Sequence, residues 1–306
     1  DSLRGGQLGD SLEPQVQQRP QPGRDTNVGS DTLLDVLRGI VLKRVETDTL
    51  VIPSLPEVAS KCLELLRHDE VDLREVAKLI ERDPVLATRL LRQATSAAMG
   101  GEGHITIHQA TTRLGSKNVR TIILDASAAQ LFRSRDQRIA AAARQLWEHS
   151  LAVALLSRDL AAILGGGLDA EAAYLAGLVH DVGKPIAAAI LLEAERASDK
   201  TRFKLTVDSW LAVVQGVHRT IGVALAEKWR LPDAVAAAIR DSSEYDSSER
   251  LSLGNVVCFS NSVAKLQEIY AGSFDKPDAE ALIMLGRSLL GLEDDVISRL
   301  SNGLRS

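Results

Sequence analysis

Tyr174-Leu-Ala-Gly-Leu-Val179-His180-Asp181-Val-Gly183-Lys184 carries an apolar helix straight into a charged pair. Asp169, a good N-cap, opens the helix; Leu175 and Leu178 continue it, and Gly183 with Pro185 predicts its stop. At the end of a buried helix, His180 and Asp181 converge on one point from inside the protein. A His-Asp pair alone says little, because chance places one in many chains of this length. Its surroundings decide the reading.

Upstream, residues 138–164 read as one long helix that is apolar nearly all round, which puts it inside a bundle. His149 lies within it, in Trp147-Glu-His149-Ser150, where an unpaired imidazole is costly. Downstream, His218 belongs to a helix that ends Glu227-Lys-Trp229-Arg-Leu-Pro232. Two imidazoles and a carboxylate match zinc, manganese or iron in ligand chemistry. Each histidine bonded to a carbonyl or to Asp181 needs no metal, so both alternatives stay open. Trp147, Trp210 and Trp229 read as core anchors, since aromatics are only 3% of the 306 residues.

Outward from this centre the chain stays helical. Residues 1–30, rich in Gln, Gly, Pro, Asp and Ser, read as a disordered tail or linker. Ser30 or Asp31 caps a first helix with Leu33, Leu34, Leu37, Ile40 and Val41 on one face. Ile52-Pro-Ser-Leu-Pro56 is an extended elbow, because each proline pushes its predecessor out of the α region. A helix through Cys62 follows. Asp72 and Asp83-Pro84 start the next two, the latter running to Gly100-Gly101, and Thr106 opens a helix that Gly115 closes before Ser116 starts another. Beyond the His-Asp pair, helices are expected at about 185–197, 206–229, 232–240, 249–270, 277–291 and 293–300. The division is a tail (1–30), an N-terminal helical lobe (31–135) and a helical bundle (136–306). With hardly any period-two alternation and no internal repeat, the fold class is all-α.

Composition narrows the function. Apolar residues are 45% and charged residues 25%, as in globular rather than disordered proteins. A net charge of −5 repels phosphate backbones. The helix pair around Asp83, with Arg89 and Arg92, has helix-turn-helix length, yet nucleic acid is not expected as a partner. Cys62 and Cys258 cannot build a disulfide framework and read as buried thiols in a reducing, cytoplasmic setting. No apolar run approaches the ~18 residues that cross a bilayer, so no membrane partner is expected. His68, His104 and His108 read as solvated, as does the basic patch Arg113, Lys117 and Arg120. The chain begins at Asp1, and a fragment of a longer protein stays open.

Several motifs fall in one order: IPSLPEVA (52–59), LIERDPVLATRLLRQATSA (79–97), LG (114–115) followed by VRTIIL, LWEHSLAVA (146–154), YLAGLVHDVGK (174–184) and GVHRTIGVALAEKWRLPDAVAAAI (216–239). Over about 51–250 the chain resembles the HDOD domain family, a bacterial relative of the HD-type metal phosphohydrolases. The resemblance implies a helical lobe packed on an HD-like bundle. It also implies a regulatory role, because the family often serves as the output half of bacterial signalling proteins, response regulators among them, and generally lacks demonstrated activity. It makes His149, His180 and Asp181 candidate metal ligands. Asn261, in Val256-Val-Cys-Phe-Ser-Asn261, resembles the position where a working HD hydrolase carries a late aspartate. An amide is a neutral, weaker ligand, so the resemblance implies no cofactor beyond a weakly held divalent metal. Ser242-Ser243 stands where relatives often carry His-His, and nothing resembles the HHE and GYP elements of cyclic-di-GMP phosphodiesterases.

The leading expectation is therefore a non-catalytic signalling module that acts through a partner protein or a small ligand in the cleft between lobes. The alternatives are an HD-type phosphohydrolase, with His218 or Lys184 steering a phosphate, and a nucleic-acid-binding regulator.

Overall fold

Aspartate, threonine and proline set most of the helix starts. The structure, a computed structural model, describes residues 51–303 except 69, 97–98, 100–104, 198–205 and 294, together with ten positions between 35 and 49. Residues 1–30, the cap at Ser30 or Asp31, Gly100-Gly101 and His104 lie outside the described residues; the described positions in 35–44 are helical.

Twelve full helices follow among the described residues, with no strand. They are α1 (Glu57–Leu65), α2 (Leu73–Ile80), α3 (Pro84–Ala94), α4 (Ile107–Leu131), α5 (Gln137–Leu164), α6 (Ala170–Val179), α7 (Gly183–Ala197), α8 (Val207–Lys228), α9 (Asp233–Asp241), α10 (Leu253–Leu266), α11 (Lys276–Leu290) and α12 (Val296–Gly303). The protein is all-α, as its sequence predicts.

Asp72 accepts from the N–H of Arg74, and Asp83 from those of Val85 and Leu86, with Pro84 in the first turn, where a missing N–H costs nothing. Thr106 and Gln109 form a capping box on α4. Gly115 (φ 74°, ψ 165°) kinks that helix where the sequence placed a break between two. The expected helix at 249–270 is shorter at both ends: Ser252 caps α10 at Leu253, and the helix finishes at Leu266.

α1, α2 and α3 pack on α4, and α4 leans on α6. α5 pairs with α6, α7 with α8, and α10 lies across α5 and α6. Leu146, Leu156 and Leu160 of α5, Leu178 of α6 and Phe259 of α10 are fully buried in the shared core. The elbow at 52–56 is pinned to the end of α8: Lys228 Nζ donates to the Ile52 carbonyl (2.7 Å) and Trp229 Nε1 to that of Pro53 (3.0 Å). Trp210 and Trp229 are buried, and Trp147 is half-buried against Phe132.

The readings of two segments, one basic and one apolar, are refined. Arg113 donates to the Ala94 carbonyl at the end of α3, and Arg120 to the Leu66 carbonyl at the end of α1. These guanidiniums serve carbonyls at helix C-termini; Arg113 and Lys117 are exposed, as expected, while Arg120 is half-buried. α6 and α7 also run almost end to end, and Ala170–Ala197 is apolar and long enough to cross a membrane by length and composition. Counting uninterrupted apolar runs missed it, because Asp181 and Lys184 interrupt the run. The qualifying stretch is 94% buried inside the fold, as a core segment is.

Candidate metal centre

Three residues separate α6 from α7, and the centre is built around that turn. His180 is the C-cap of α6, Asp181 and Val182 follow, and Gly183 already starts α7. Gly183 and Pro185 are therefore not a stop but the first turn of the next helix, which tolerates proline because its N–H would go unused there. Glycine at 183 is a packing requirement. A Cβ there would lie 1.8 Å from the carbonyl oxygen of His218, so only Gly lets α7 approach α8 this closely.

That approach gathers five candidate residues. Lys184 Nζ donates to Asp181 Oδ2 at 2.5 Å. His180 Nε2 lies 3.4 Å and His149 Nε2 3.7 Å from the same oxygen. His218 Nε2 lies 3.3 Å from the other, Oδ1. All five side chains are buried.

The tautomers follow from the backbone. His149 Nδ1 faces the Ile269 carbonyl (2.7 Å), His180 Nδ1 that of Gly177 (2.7 Å) and His218 Nδ1 that of Gln215 (2.9 Å). A carbonyl only accepts, so each Nδ1 carries a proton, and in the neutral ring the lone pair sits on Nε2. Burial lowers the His149 imidazole to about 3, helped by neighbouring His180, and lowers His218 to about 4. Burial alone would raise Asp181, but His180, Lys184 and His218 hold it well below the ordinary carboxylate range.

His149 Nε2 and His180 Nε2 are buried with no hydrogen-bond partner among the described residues. Together with an Asp181 oxygen they form a set whose ligand atoms lie within 4.8 Å of one another. Two inward lone pairs, each fixed by a carbonyl on the far side of its ring, and one carboxylate are donors that fit a single divalent ion of borderline hardness. His149, His180 and Asp181 would hold it, and such an ion would polarise a bound oxygen.

The sequence profile of the HDOD domain matches residues 52–245, close to the expected 51–250. The chain belongs to the HDOD domain family. An uncharacterized Treponema pallidum (strain Nichols) protein is 27% identical over 198 residues; the match spans 62% of this chain but only 37% of that protein. A Shewanella amazonensis SB2B crystal structure, provisionally assigned as a metal-dependent phosphohydrolase, aligns over 89% of this chain and 99% of its own (TM-score 0.69, 23% identity). One from Marinobacter aquaeolei VT8, provisionally a signal transduction protein, covers 92% of this chain and 67% of its own (TM-score 0.50, 20% identity). These likenesses establish the fold.

Asn261, the sixth candidate of this HDOD chain, sits on α10, which packs on both α5 and α6; its Oδ1 is buried without a partner among the described residues. Lys265 and Tyr270 escaped the sequence reading. The Tyr270 ring meets His149 edge-on at 5.1 Å and lies 5.2 Å from Lys184 Nζ and 5.3 Å from Lys265 Nζ. Lys265 falls one helical turn after Asn261, an i,i+4 spacing that could have flagged it. Arg89, one of two arginines in the nucleic-acid reading, is instead paired with Asp125 of α4.

Proposed function

We propose that the chain is a signal-transduction output module whose His-Asp centre organises the fold and a recognition surface and does not hydrolyse phosphoesters. One observation carries this reading: among the described residues the centre brings together a single carboxylate, and Lys184 already neutralises it. Activating water at a divalent ion requires negative charge around that ion, and Asn261 adds none. Family membership and the signal-transduction assignment of the Marinobacter relative support it. The partner we infer is a signalling protein.

A second reading, a metal-dependent phosphohydrolase, is favoured by the two unpaired Nε2 atoms and by the assignment of the Shewanella relative. Elemental analysis after dialysis against Mn²⁺ and Zn²⁺, with bis(p-nitrophenyl) phosphate as substrate, separates the two. Under the first reading, metal stays below one ion per chain and hydrolysis equals the metal-only blank. Turnover that disappears in His149→Ala overturns it.

A further inference from the structure

Lys184 stands beside the place an ion would take. The oxygen that receives its ammonium, Asp181 Oδ2, is also the one nearest to His149 Nε2 and His180 Nε2. Yet neither imidazole nitrogen has a hydrogen-bond partner among the described residues. The ammonium therefore balances the charge of the carboxylate, while the two lone pairs beside it face no donor among the described residues.

We propose that Lys184 is a built-in competitor for metal: a divalent ion takes His149, His180 and Asp181 only when the ammonium leaves Asp181 for the adjoining cavity. That cavity, about 580 Å³, is lined by Lys184 itself and by Asp208, Asp275, Asp278, Lys265 and Tyr270. Asp275 spends Oδ1 on capping α11, so Asp208, Asp278 and the second Asp275 oxygen are the acceptors for a displaced ammonium. The four-carbon lysine stem is flexible enough to turn outward. Lys265 acts in the same direction from farther away. It shares the Tyr270 ring with Lys184, and its charge, within electrostatic reach of Asp181, repels an incoming cation.

The test is metal binding, measured with Mn²⁺ and with Zn²⁺ by titration calorimetry and by elemental analysis after dialysis. Lys184→Met should bind one ion per chain about 100-fold more tightly than wild type, and Lys265→Met about tenfold. Adding His149→Ala to Lys184→Met should abolish the gain, which locates the ion. Affinity unchanged in Lys184→Met, or a gain that survives loss of His149, overturns the proposal. Lys184→Met bares Asp181, so its folding is followed by thermal unfolding with and without Mn²⁺, and a midpoint that rises only with metal supports the proposal. If this variant is unfolded in both conditions, Lys265→Met decides: a gain supports competition and no gain overturns it. The inference rests on the metal-poor reading above, but the two fail separately. Turnover by the wild type sinks that reading, whereas an unmoved metal affinity sinks this one.

Discussion

Asp181 and Asp125 are both largely buried carboxylates paired with a basic side chain, and they respond in opposite directions. Asp125, on α4, meets Arg89 of α3 and the hydroxyl of Tyr174 on α6. Burial raises its carboxyl against the pull of Arg89, and its Oδ1 stays buried without a partner among the described residues. Asp181 suffers more burial yet is held low, because His180, Lys184 and His218 lie against its oxygens. The difference teaches that burial alone does not set the state of a carboxylate; the number and closeness of the basic side chains around it matter as much. Asp125 belongs to a contact between helices. Asp181 is the hub of a charged centre.

Removing each hub should separate them most sharply. Asp181→Ala takes from the Lys184 ammonium the anion it meets and should cost up to about 3–5 kcal/mol in urea denaturation, less as far as the ammonium turns to Asp208 or Asp278. Asp181→Asn combined with Lys184→Met removes both charges and should recover most of that loss. A double variant as unstable as Asp181→Ala alone would show that geometry, not charge, dominates the centre.

Gly183→Ala probes geometry while leaving every charge in place. The new methyl meets the His218 carbonyl, a backbone atom with no flexible end to give way, so α7 and α8 must separate. Overpacking of this kind costs about 1–3 kcal/mol. The thermal midpoint should fall, while Asp125→Asn should produce the same change in either background, since the two sites share no partner. Strong coupling between the two substitutions would break the distinction drawn here.

The centre was more legible in the sequence than its balance of charge. His149 and His218 stood out inside helices, and His180-Asp181 at the end of an apolar one; an imidazole among leucines and alanines needs an explanation. The helices themselves were legible from their caps, Asp72, Asp83, Thr106 and Asp169 among them. Pairing was not. Lys184 was read as a hand for phosphate, yet its place against Asp181 depends on a turn of three residues that a Gly-Lys-Pro sequence also permits as a stop. Tyr270 and the Ile269 carbonyl reach His149 from 120 residues away, after a helix whose end the periodicity overran. Helix packing, which no local pattern encodes, decides such encounters. Arg120, half-buried rather than solvated, was misread for the same reason: the carbonyl it serves belongs to another helix.

The smallest expected effect lies at Asp125, and pH exposes it. The folded chain holds its proton more tightly than the unfolded chain, whose carboxyl has the ordinary value near 3.8. The stability linked to that proton is thus fully present below 3.8 and is lost as pH rises through the higher folded value. Asp125→Asn keeps the site neutral at every pH and removes this contribution. Subtracting its unfolding free energy from that of wild type, from about pH 3 to pH 7, cancels the other carboxylates and should leave a difference that favours wild type least at the upper end. Breaking the Arg89 pair adds a cost of about 1 kcal/mol or less, because Arg89 is a third exposed and water can replace the lost partner. A difference that grows in favour of wild type with rising pH would mean that Arg89 outweighs burial, and Asp125 would then belong with Asp181 rather than opposite it.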